Sequence, residues 1–442
     1  MLRNCRKVLF KNNVCPIINQ KKYFLTHDYK CTEAWKNMNS APVFDKINIH
    51  DFYNVIDQNY TSKGLISAID VDMFANVIQD SNHLEELKDL LHKLRLSAET
   101  GNMLESTHLA TVRNFMEFGD IKDLVEILKN PLNFGVFLDN YSANILLDKL
   151  ITMSNFELAA RVAALVMLQE EYNNDITCTL CQYACLKYIS NYTRSEPTPT
   201  APEQKNKKVE EIKIRVKYLR NPYFDDHFDI KDTFTLSGKT LAWISERATD
   251  NLNNNLQIIG WLIYKKFDKL SAICESMANE KSFKVYSEVL QLLQRETANV
   301  EAESKSVLDK CFSILSKVEQ TSSEISLEES LKVAIENAIN KSQKNDISQQ
   351  EQLFKLWSKL REEKLEEQAQ RLDRAHRLQL IQDKQKQMKD EEQKLWFFEN
   401  EDKIDLEIEE KEKLIDKTVT KKTPSKVTDE NYIPPEILPK RK

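Results

Sequence analysis

The chain is poor in the residues that make tight turns. Its 442 residues include 6 glycines and 11 prolines, whereas average usage would give roughly 30 and 22. Doubly wound sheets, propellers and sandwiches need glycine at many turns, so this scarcity argues against them and predicts an all-α fold. It also excludes glycine-rich phosphate loops and the nucleophile elbow, because both place several glycines within a few residues.

Long apolar runs and local metal or catalytic motifs are also missing. No run approaches the roughly 18 apolar residues of a membrane span. The 8 cysteines are scattered, as is typical of a reducing compartment, and the 7 histidines are dispersed without an HExxH motif. The sequence therefore predicts no enzyme: no catalytic residue, no cofactor, no metal, no small-molecule substrate and no membrane contact.

The first 27 residues are basic in a chain whose net charge is −6. They contain no acid, and their basic residues are Arg3, Arg6, Lys7, Lys11, Lys21 and Lys22. Apolar residues lie between the basic clusters, so a helix here would be basic and amphipathic. This pattern predicts a mitochondrial transit peptide over residues 1–27, followed by a lead-in over 28–67. The alternative is a disordered basic arm.

An internal repeat with an offset of 35 residues follows. Phe118–Leu128 and Met153–Ala163 each begin with a small or polar turn and continue with apolar residues at helical spacing. A helix precedes each of them, and a looser third copy covers Val71–Ile78 and Leu84–Leu94. One hairpin cannot bury its apolar face alone, so we predict an α-solenoid of stacked helical hairpins over residues 68–193.

The segment from Gly135 to Asp148 resembles the junction of a pentatricopeptide repeat. In that family a glycine, an aliphatic residue, a proline and an aspartate precede a helix that opens with threonine, an aromatic residue, asparagine and two leucines. Leu138 stands in the place of the proline. Together with the basic presequence and a charged C-terminal helix, the order of segments resembles the pentatricopeptide-type proteins of the mitochondrial small ribosomal subunit.

This resemblance implies a structural component of that subunit, located in the mitochondrial matrix. Its implied partners are small-subunit rRNA and neighbouring mitochondrial ribosomal proteins. Two alternatives stay open: a free mitochondrial pentatricopeptide RNA-binding factor in RNA processing or translation, and a helical adaptor without RNA contact.

The resemblance also implies two RNA-binding residues, Asn144 and Asp175. In pentatricopeptide proteins such a pair hydrogen-bonds the edge of one base, but Leu109 and Leu180 occupy the equivalent first-helix places of the neighbouring segments. Residues 68–190 carry 9 Lys or Arg against 18 Asp or Glu, a net charge of −9, which disfavours a phosphate backbone. The alternative is that Asn144 makes a local helix contact and Asp175 caps the next helix. We therefore expect the repeats to present mainly a protein-docking surface.

A second candidate RNA contact follows a proline-rich linker over residues 194–208. The stretch 205–220 holds 7 basic residues and 2 acids. Its candidate RNA-binding residues are Lys205, Lys207, Lys208, Lys213, Arg215, Lys217 and Arg220. Basic groups point at phosphate oxygens, and nearby tyrosines could stack on unpaired bases, so the stretch predicts a grip on rRNA by shape and charge. The alternative is a solvated linker and ordinary helix surface.

Two motifs suggest chemistry that their surroundings do not support. Ser237 to Thr240 read as the end of a phosphate loop, but Thr233 stands where that loop needs its first glycine, so we expect a helix that begins near Lys239 with Ser237 as its cap. Cys178, Cys181 and Cys185 fall on one helix face without further zinc ligands nearby, which predicts a buried stripe.

The rest of the chain is divided by composition. Residues 209–345 have apolar residues at helical spacing and predict a second helical block. Residues 346–398 are rich in Lys, Glu, Gln and Leu and predict one long charged helix, protruding or clamped to a surface rather than paired in a dimeric coiled coil. Residues 399–442 predict a disordered charged tail.

Overall fold

The computed structural model describes residues 23–193, 224–280, 282–298, 302–321 and 326–421. Two compact units divide the chain, Met1–Glu362 and Glu363–Lys442. Regular structure within the described ranges is helical, apart from an isolated bridge between Val285 and Gln320. The predicted all-α fold is therefore confirmed. None of the helices in these ranges is long and apolar enough to cross a membrane.

The segment before the repeats packs against them. Residues 1–22, which contain most of the predicted transit peptide, lie outside the described residues. Residues 23–27, which the sequence assigns to the same peptide, join the fold: Leu25 is buried, and the backbone N–H groups of Phe24 and Leu25 donate to Asp148. Two helices follow, α1 (Thr32–Asn39) and α2 (Ile49–Lys63).

The repeat region consists of helical hairpins close to the predicted positions. Its helices are α3 (Ala68–Val77), α4 (Leu84–Leu96), α5 (Glu105–Phe118), α6 (Ile121–Lys129), the short α7 (Pro131–Phe134), α8 (Asn140–Thr152), α9 (Phe156–Leu168) and α10 (Asp175–Asn191). The pairs α3 and α4, α5 and α6, and α8 and α9 form hairpins, and the first helices α3, α5, α8 and α10 pack side by side in that order. These are the neighbour relations that stacked hairpins would have.

Polar side chains cap the starts of α6, α8, α9 and α10, whereas α3, α4 and α5 have no side-chain cap. Asp120 accepts a hydrogen bond from the backbone N–H of Lys122 at the start of α6. Asp139 and Ser142 form a capping box at the start of α8. Side-chain caps of this kind satisfy the backbone N–H groups that a helix leaves unpaired at its first turn. The repeats can therefore have well-defined starts in a sequence with few turn residues.

The second helical block shares one core with the repeats. It comprises α11 (Thr233–Ser245), α12 (Asn251–Tyr264), α13 (Phe267–Ala278), α14 (Ser287–Thr297) and α15 (Ala302–Leu315). Helix α11 packs against both α9 and α10, so it completes a hairpin with α10. The predicted linker over 194–208 lies outside the described residues, but the packing on its two sides shows no break between repeats and block.

Glycine matters where α11 and α12 cross. A Cβ atom at Gly260 would lie 2.4 Å from the backbone nitrogen of Ala242, and one at Gly238 would lie 2.6 Å from Cβ of Ile263. These distances are shorter than any van der Waals contact, so both positions require glycine for the two helices to approach. Gly238 therefore serves helix packing and not a phosphate loop.

The last helix, α16 (Leu327–Lys421), is longer than the sequence predicts, with non-helical backbone angles at Asn400. It begins before the predicted start at 346, because Leu327, Leu331 and Ile335 recur at helical spacing and are buried. It also extends past 398, where the sequence predicts a disordered tail. Residues 422–442 of that tail lie outside the described residues.

Candidate functional site

Asn144, the first predicted base contact, lies inside the protein. It follows the capped first turn of α8, and its side chain is fully buried. The Nδ2 group donates a hydrogen bond to the hydroxyl oxygen of Tyr29, 2.8 Å away. The Oδ1 atom has no hydrogen-bond partner in the described part of the chain. Asn144 therefore faces the N-terminal segment of its own chain and not solvent.

Tyr29 links this segment to two other elements. Its ring stacks on Tyr141, with centroids 5.4 Å apart, and its hydroxyl group donates to Asp346 Oδ2 over 3.2 Å. Burial raises the pKa of Tyr29 above its usual range, so the hydroxyl group keeps its proton. It can then accept from Asn144 while it donates to Asp346.

Asp175, the second predicted base contact, is held by two cations. It is the first residue of α10, and Lys341 and Arg247 lie 2.9 and 3.2 Å from its carboxylate oxygens. The hydrogen bond from Lys341 lowers the pKa of Asp175. The helix cap is Asn174, which accepts from the N–H groups of Ile176 and Thr177. The alternative that Asp175 itself caps this helix is therefore wrong by one residue.

Helix α16 also contacts two other first helices, α5 at its start and α3 near its middle. Trp357 Nε1 lies 3.3 Å from the carboxylate of Glu105, the first residue of α5. Arg361 Nε lies 2.8 Å from Asp72 Oδ2 in α3. We call the set Asp72, Glu105, Asn144 and Asp175 the occupied face, because a side chain of α16 or of the segment around Tyr29 binds each of them. The two places predicted to read a base belong to this face.

The contact between Arg361 and Asp72 is a buried ion pair. Asp72 is fully buried, and it also accepts hydrogen bonds from Ser106, Thr107 and Asn76. The Arg361 guanidinium group lies over the ring of Phe44, 5.1 Å from its centroid. Several hydrogen bonds offset the cost of removing a carboxylate from water. The cluster fixes the position of α16 on the repeats.

The other predicted RNA-binding residues cannot be placed. Lys205, Lys207, Lys208, Lys213, Arg215, Lys217 and Arg220 lie outside the described residues. Their grip on rRNA stays a prediction, as does the role of Asn144 and Asp175. For Asn144 the structure adds a condition, because a base could reach this buried side chain only after Tyr29 had moved away. The side chain of Asp175 is 36% exposed and pairs with Lys341 and Arg247.

The two motifs that suggested chemistry are packed into helices. Cys178, Cys181 and Cys185 are buried in α10, as the pattern predicts, and burial raises the pKa of each thiol. Lys239 is buried within α11, lies over the ring of Trp243 and contacts His227. That helix begins at Thr233 with the cap Asp232, so the prediction of a start near Lys239 is wrong. No metal-binding group of three or more His, Cys, Asp or Glu side chains occurs among the described residues.

Tyr29, Asp346 and Arg361 are among the residues of this site whose contacts sequence reasoning missed, as are Lys341, Arg247 and Trp357. Tyr29 is 115 residues from Asn144, and Arg361 is 289 residues from Asp72. No spacing rule joins residues so far apart in the chain. The sequence around Tyr29 and Arg361 has no local pattern that distinguishes them from aromatic and basic residues at exposed positions.

One comparison with known proteins bears on this arrangement. The family model described as mitochondrial 28S ribosomal protein S27 matches residues 1–387. The match covers both the repeats and the part of α16 that contacts them.

Proposed function

The chain belongs to the mitochondrial 28S ribosomal protein S27 family, and from that membership we propose that it is a helical scaffold which docks on rRNA and on neighbouring ribosomal proteins. Membership itself makes the chain a mitochondrial, ribosome-associated component of the small subunit. The proposal goes further: the chain supports mitochondrial translation by holding its partners in place, and the chain itself catalyses no reaction.

The occupied face is the observation that carries this proposal. A pentatricopeptide reader of single-stranded RNA needs open polar side chains on its first helices. Here Asn144 is bonded to Tyr29 and Asp175 to Lys341. The net charge of −9 over residues 68–190 also works against a phosphate backbone on the repeats. A scaffold needs no open base-reading face, so the arrangement supports docking over base reading.

Exposed apolar side chains support docking on other proteins. Leu132, Phe137 and Phe228 are 81%, 49% and 69% exposed and line a groove of about 600 Å³. Clustered apolar surface of this kind marks protein contact sites more often than isolated exposed residues do. On the proposed function, a neighbouring ribosomal protein covers this groove in the assembled subunit.

Sedimentation of the tagged full chain in a mitochondrial lysate tests the scaffold proposal. A ribosomal scaffold should travel with the small subunit and with the intact ribosome after a high-salt wash, because many contacts hold it. A free RNA-binding factor would instead remain near the top of the gradient, and that result would overturn the proposal.

Charge reversal tests the proposed rRNA contact of the stretch 205–220. The triple variant K213E/R215E/K217E should lower crosslinking of the chain to small-subunit rRNA, because it replaces attraction to phosphate with repulsion. The matched control K384E/K386E/K389E makes the same charge change on exposed positions of α16 and should crosslink like the wild type. Equal crosslinking by both variants would remove the stretch 205–220 from the proposal.

A further inference from the structure

Three cationic side chains from distant parts of the chain line one cavity. Lys30 ends a short 3-10 turn (His27–Lys30), Arg113 belongs to α5 and Lys149 to α8. With Tyr23, Glu117, Asp148 and others they line a space of about 350 Å³. Small-molecule pockets range from roughly 300 to 1,000 Å³, so the space can hold a small polar group.

None of these three cations forms an ion pair in the described part of the chain. Other cations of the same unit are paired, such as Lys93 with Asp57 and Asp89, and Arg361 with Asp72, although Arg95 and Lys239 also donate to neutral acceptors. In the cavity Lys149 donates to the backbone carbonyl of Met116, and Arg113 donates to the carbonyl of Lys30 and to the hydroxyl oxygen of Tyr141. The hydrogen bonds of Lys149 and Arg113 therefore go to neutral acceptors, which do not cancel their charges.

The two carboxylates at the cavity offset part of its charge, since Lys30 attracts Asp148 and Glu117 attracts Lys149, but neither forms an ion pair with a lining cation in the described residues. Asp148 accepts the backbone N–H groups of Phe24 and Leu25, 2.8 and 3.4 Å from its Oδ1 atom, and Glu117 is exposed. Burial lowers the pKa of Lys149, and the charge of Lys30 lowers it further. Three cations and two carboxylates line the cavity, which gives it an excess of one positive charge.

An unused donor belongs to the same site. Nε of Arg113 is buried and has no hydrogen-bond partner in the described residues, although the guanidinium group lies 4.7 Å from the centre of the Trp35 ring. Buried donors are rarely left unpaired in native proteins. The Nζ group of Lys30 lies over the ring of Tyr23, 5.1 Å from its centroid, and no hydrogen bond from it occurs among the described residues.

We propose that the cavity lined by Lys30, Arg113 and Lys149 binds a phosphate group. Arginine and lysine together supply the charge and the N–H donors that phosphate oxygens accept. If the proposed function holds, the group is a phosphodiester of rRNA. The cavity would then anchor RNA at one local positive site on α5 and α8 without reading a base, although residues 68–190 as a whole are acidic. A free phosphate compound has the same chemistry and is the other source to be distinguished.

The variant K30Q/K149Q tests the proposal in the full chain. It removes two charges but leaves Arg113, whose contacts with Tyr141 and Trp35 hold the fold. The control K122Q/K129Q removes two charges from exposed lysines of α6. If the double variant does not fold, the single variant K30Q takes its place, since the Lys30 amino group makes no hydrogen bond in the described part of the chain.

Two measurements separate the sources. The first is the melting temperature with inorganic phosphate against chloride at equal ionic strength: phosphate should raise it for the wild type and the control but not for K30Q/K149Q. The second is the affinity for a labelled single-stranded RNA over a series of salt concentrations. For K30Q/K149Q the slope of log affinity against log salt should fall by about 1 for each RNA phosphate that the variant no longer binds.

If K30Q/K149Q loses both the rise in melting temperature with phosphate and part of the salt dependence of RNA binding, the ligand is an RNA phosphodiester. Loss of the phosphate response alone identifies a free phosphate compound and leaves the cavity proposal standing. Responses of K30Q/K149Q equal to those of K122Q/K129Q in both measurements would overturn it. Failure of the wild-type chain to sediment with the small subunit would overturn the proposed function instead, and it would not alter the phosphate result.

Discussion

The two parts of helix α16 both contain large apolar side chains, but these lie in opposite environments. In the part from Leu327 to Glu362, Leu331 and Trp357 are 0% and 4% exposed; in the part from Glu363 to Trp396, Leu372 and Trp396 are 63% and 54% exposed. Both parts are built from residues that favour helix, so local propensity accounts for the helix in each. Contacts with distant residues decide which apolar side chains become core.

The ion pairs differ in the same way. In the first part Glu328 pairs with Lys187 and Arg361 with Asp72, across large distances in sequence. In the second part the pairs are local, such as Lys364 with Glu367. Local pairs on a helix contribute about 0.2–0.5 kcal/mol each, whereas breaking a buried pair costs several times more. The comparison therefore predicts unequal effects for matched substitutions.

The largest effect is expected at Arg361. The variant R361M leaves the Asp72 carboxylate buried without its cation and should lower the free energy of unfolding by about 3–5 kcal/mol. The matched variant R371M, at an exposed position, should leave it nearly unchanged. Urea denaturation of the full chain measures both.

A second substitution shows whether the uncompensated charge is the cause. The double variant D72N/R361M should regain part of the stability that R361M loses, because it removes the unpaired carboxylate. Equal losses in R361M and R371M would contradict the assignment of Arg361 to a buried cluster.

A smaller loss of stability is expected when Trp357 is replaced. Its ring lies 5.6 Å from that of Phe354, which in turn lies 5.6 Å from Trp35. W357A should leave a cavity and cost about 3 kcal/mol. W396A makes the same chemical change at an exposed site and should alter the denaturation midpoint little. A comparable loss in W396A would mean that the two parts of the helix do not differ as described.

The smallest expected effect is the pH dependence that Glu328 gives to the free energy of unfolding. Burial raises the pKa of this carboxyl group, but hydrogen bonds from Lys332 and Lys187 outweigh burial and hold the pKa at about 2, below the ordinary value of 4.5. The folded state then binds its proton less readily than the unfolded state. The stabilisation is therefore present above about pH 4.5 and is lost as the pH falls from there towards 2.

The variant E328Q removes this dependence. The side chain is 35% exposed, so solvent screening limits the expected loss near neutral pH to about 1 kcal/mol. The gap between wild type and E328Q, measured by urea denaturation, should shrink as the pH falls below 4.5. E366Q, on the exposed part of α16, is the matched control and should show no such convergence. A constant gap for E328Q would rule out the proposed contribution of its two lysine partners.

Much of the repeat region could be predicted from the sequence. The offset of 35 residues placed the hairpins built on α5, α6, α8 and α9, and the cysteine spacing identified a buried stripe on α10. These features depend on neighbours within a turn or two of helix, where apolar periodicity is a direct consequence of burial on one side.

The candidate site was much less predictable. The resemblance pointed to Asn144 and Asp175, and the structure brings both to one face. What covers that face is Tyr29, Lys341 and the rest of the first part of α16. The local sequence around a polar residue is the same whether its partner is an RNA base or a distant tyrosine, so the partner could not be deduced.

The sequence by itself determined that this protein is helical, where most of its repeats begin and end, and that its long last helix forms. These outcomes follow from backbone preferences, capping residues and local periodicity, which act over a few residues. Only the tertiary structure decided that the first part of α16 covers the repeats and that Lys30, Arg113 and Lys149 meet in one cavity. The physical reason is that burial and charge pairing depend on which surfaces come together, and residues far apart in the chain supply those surfaces.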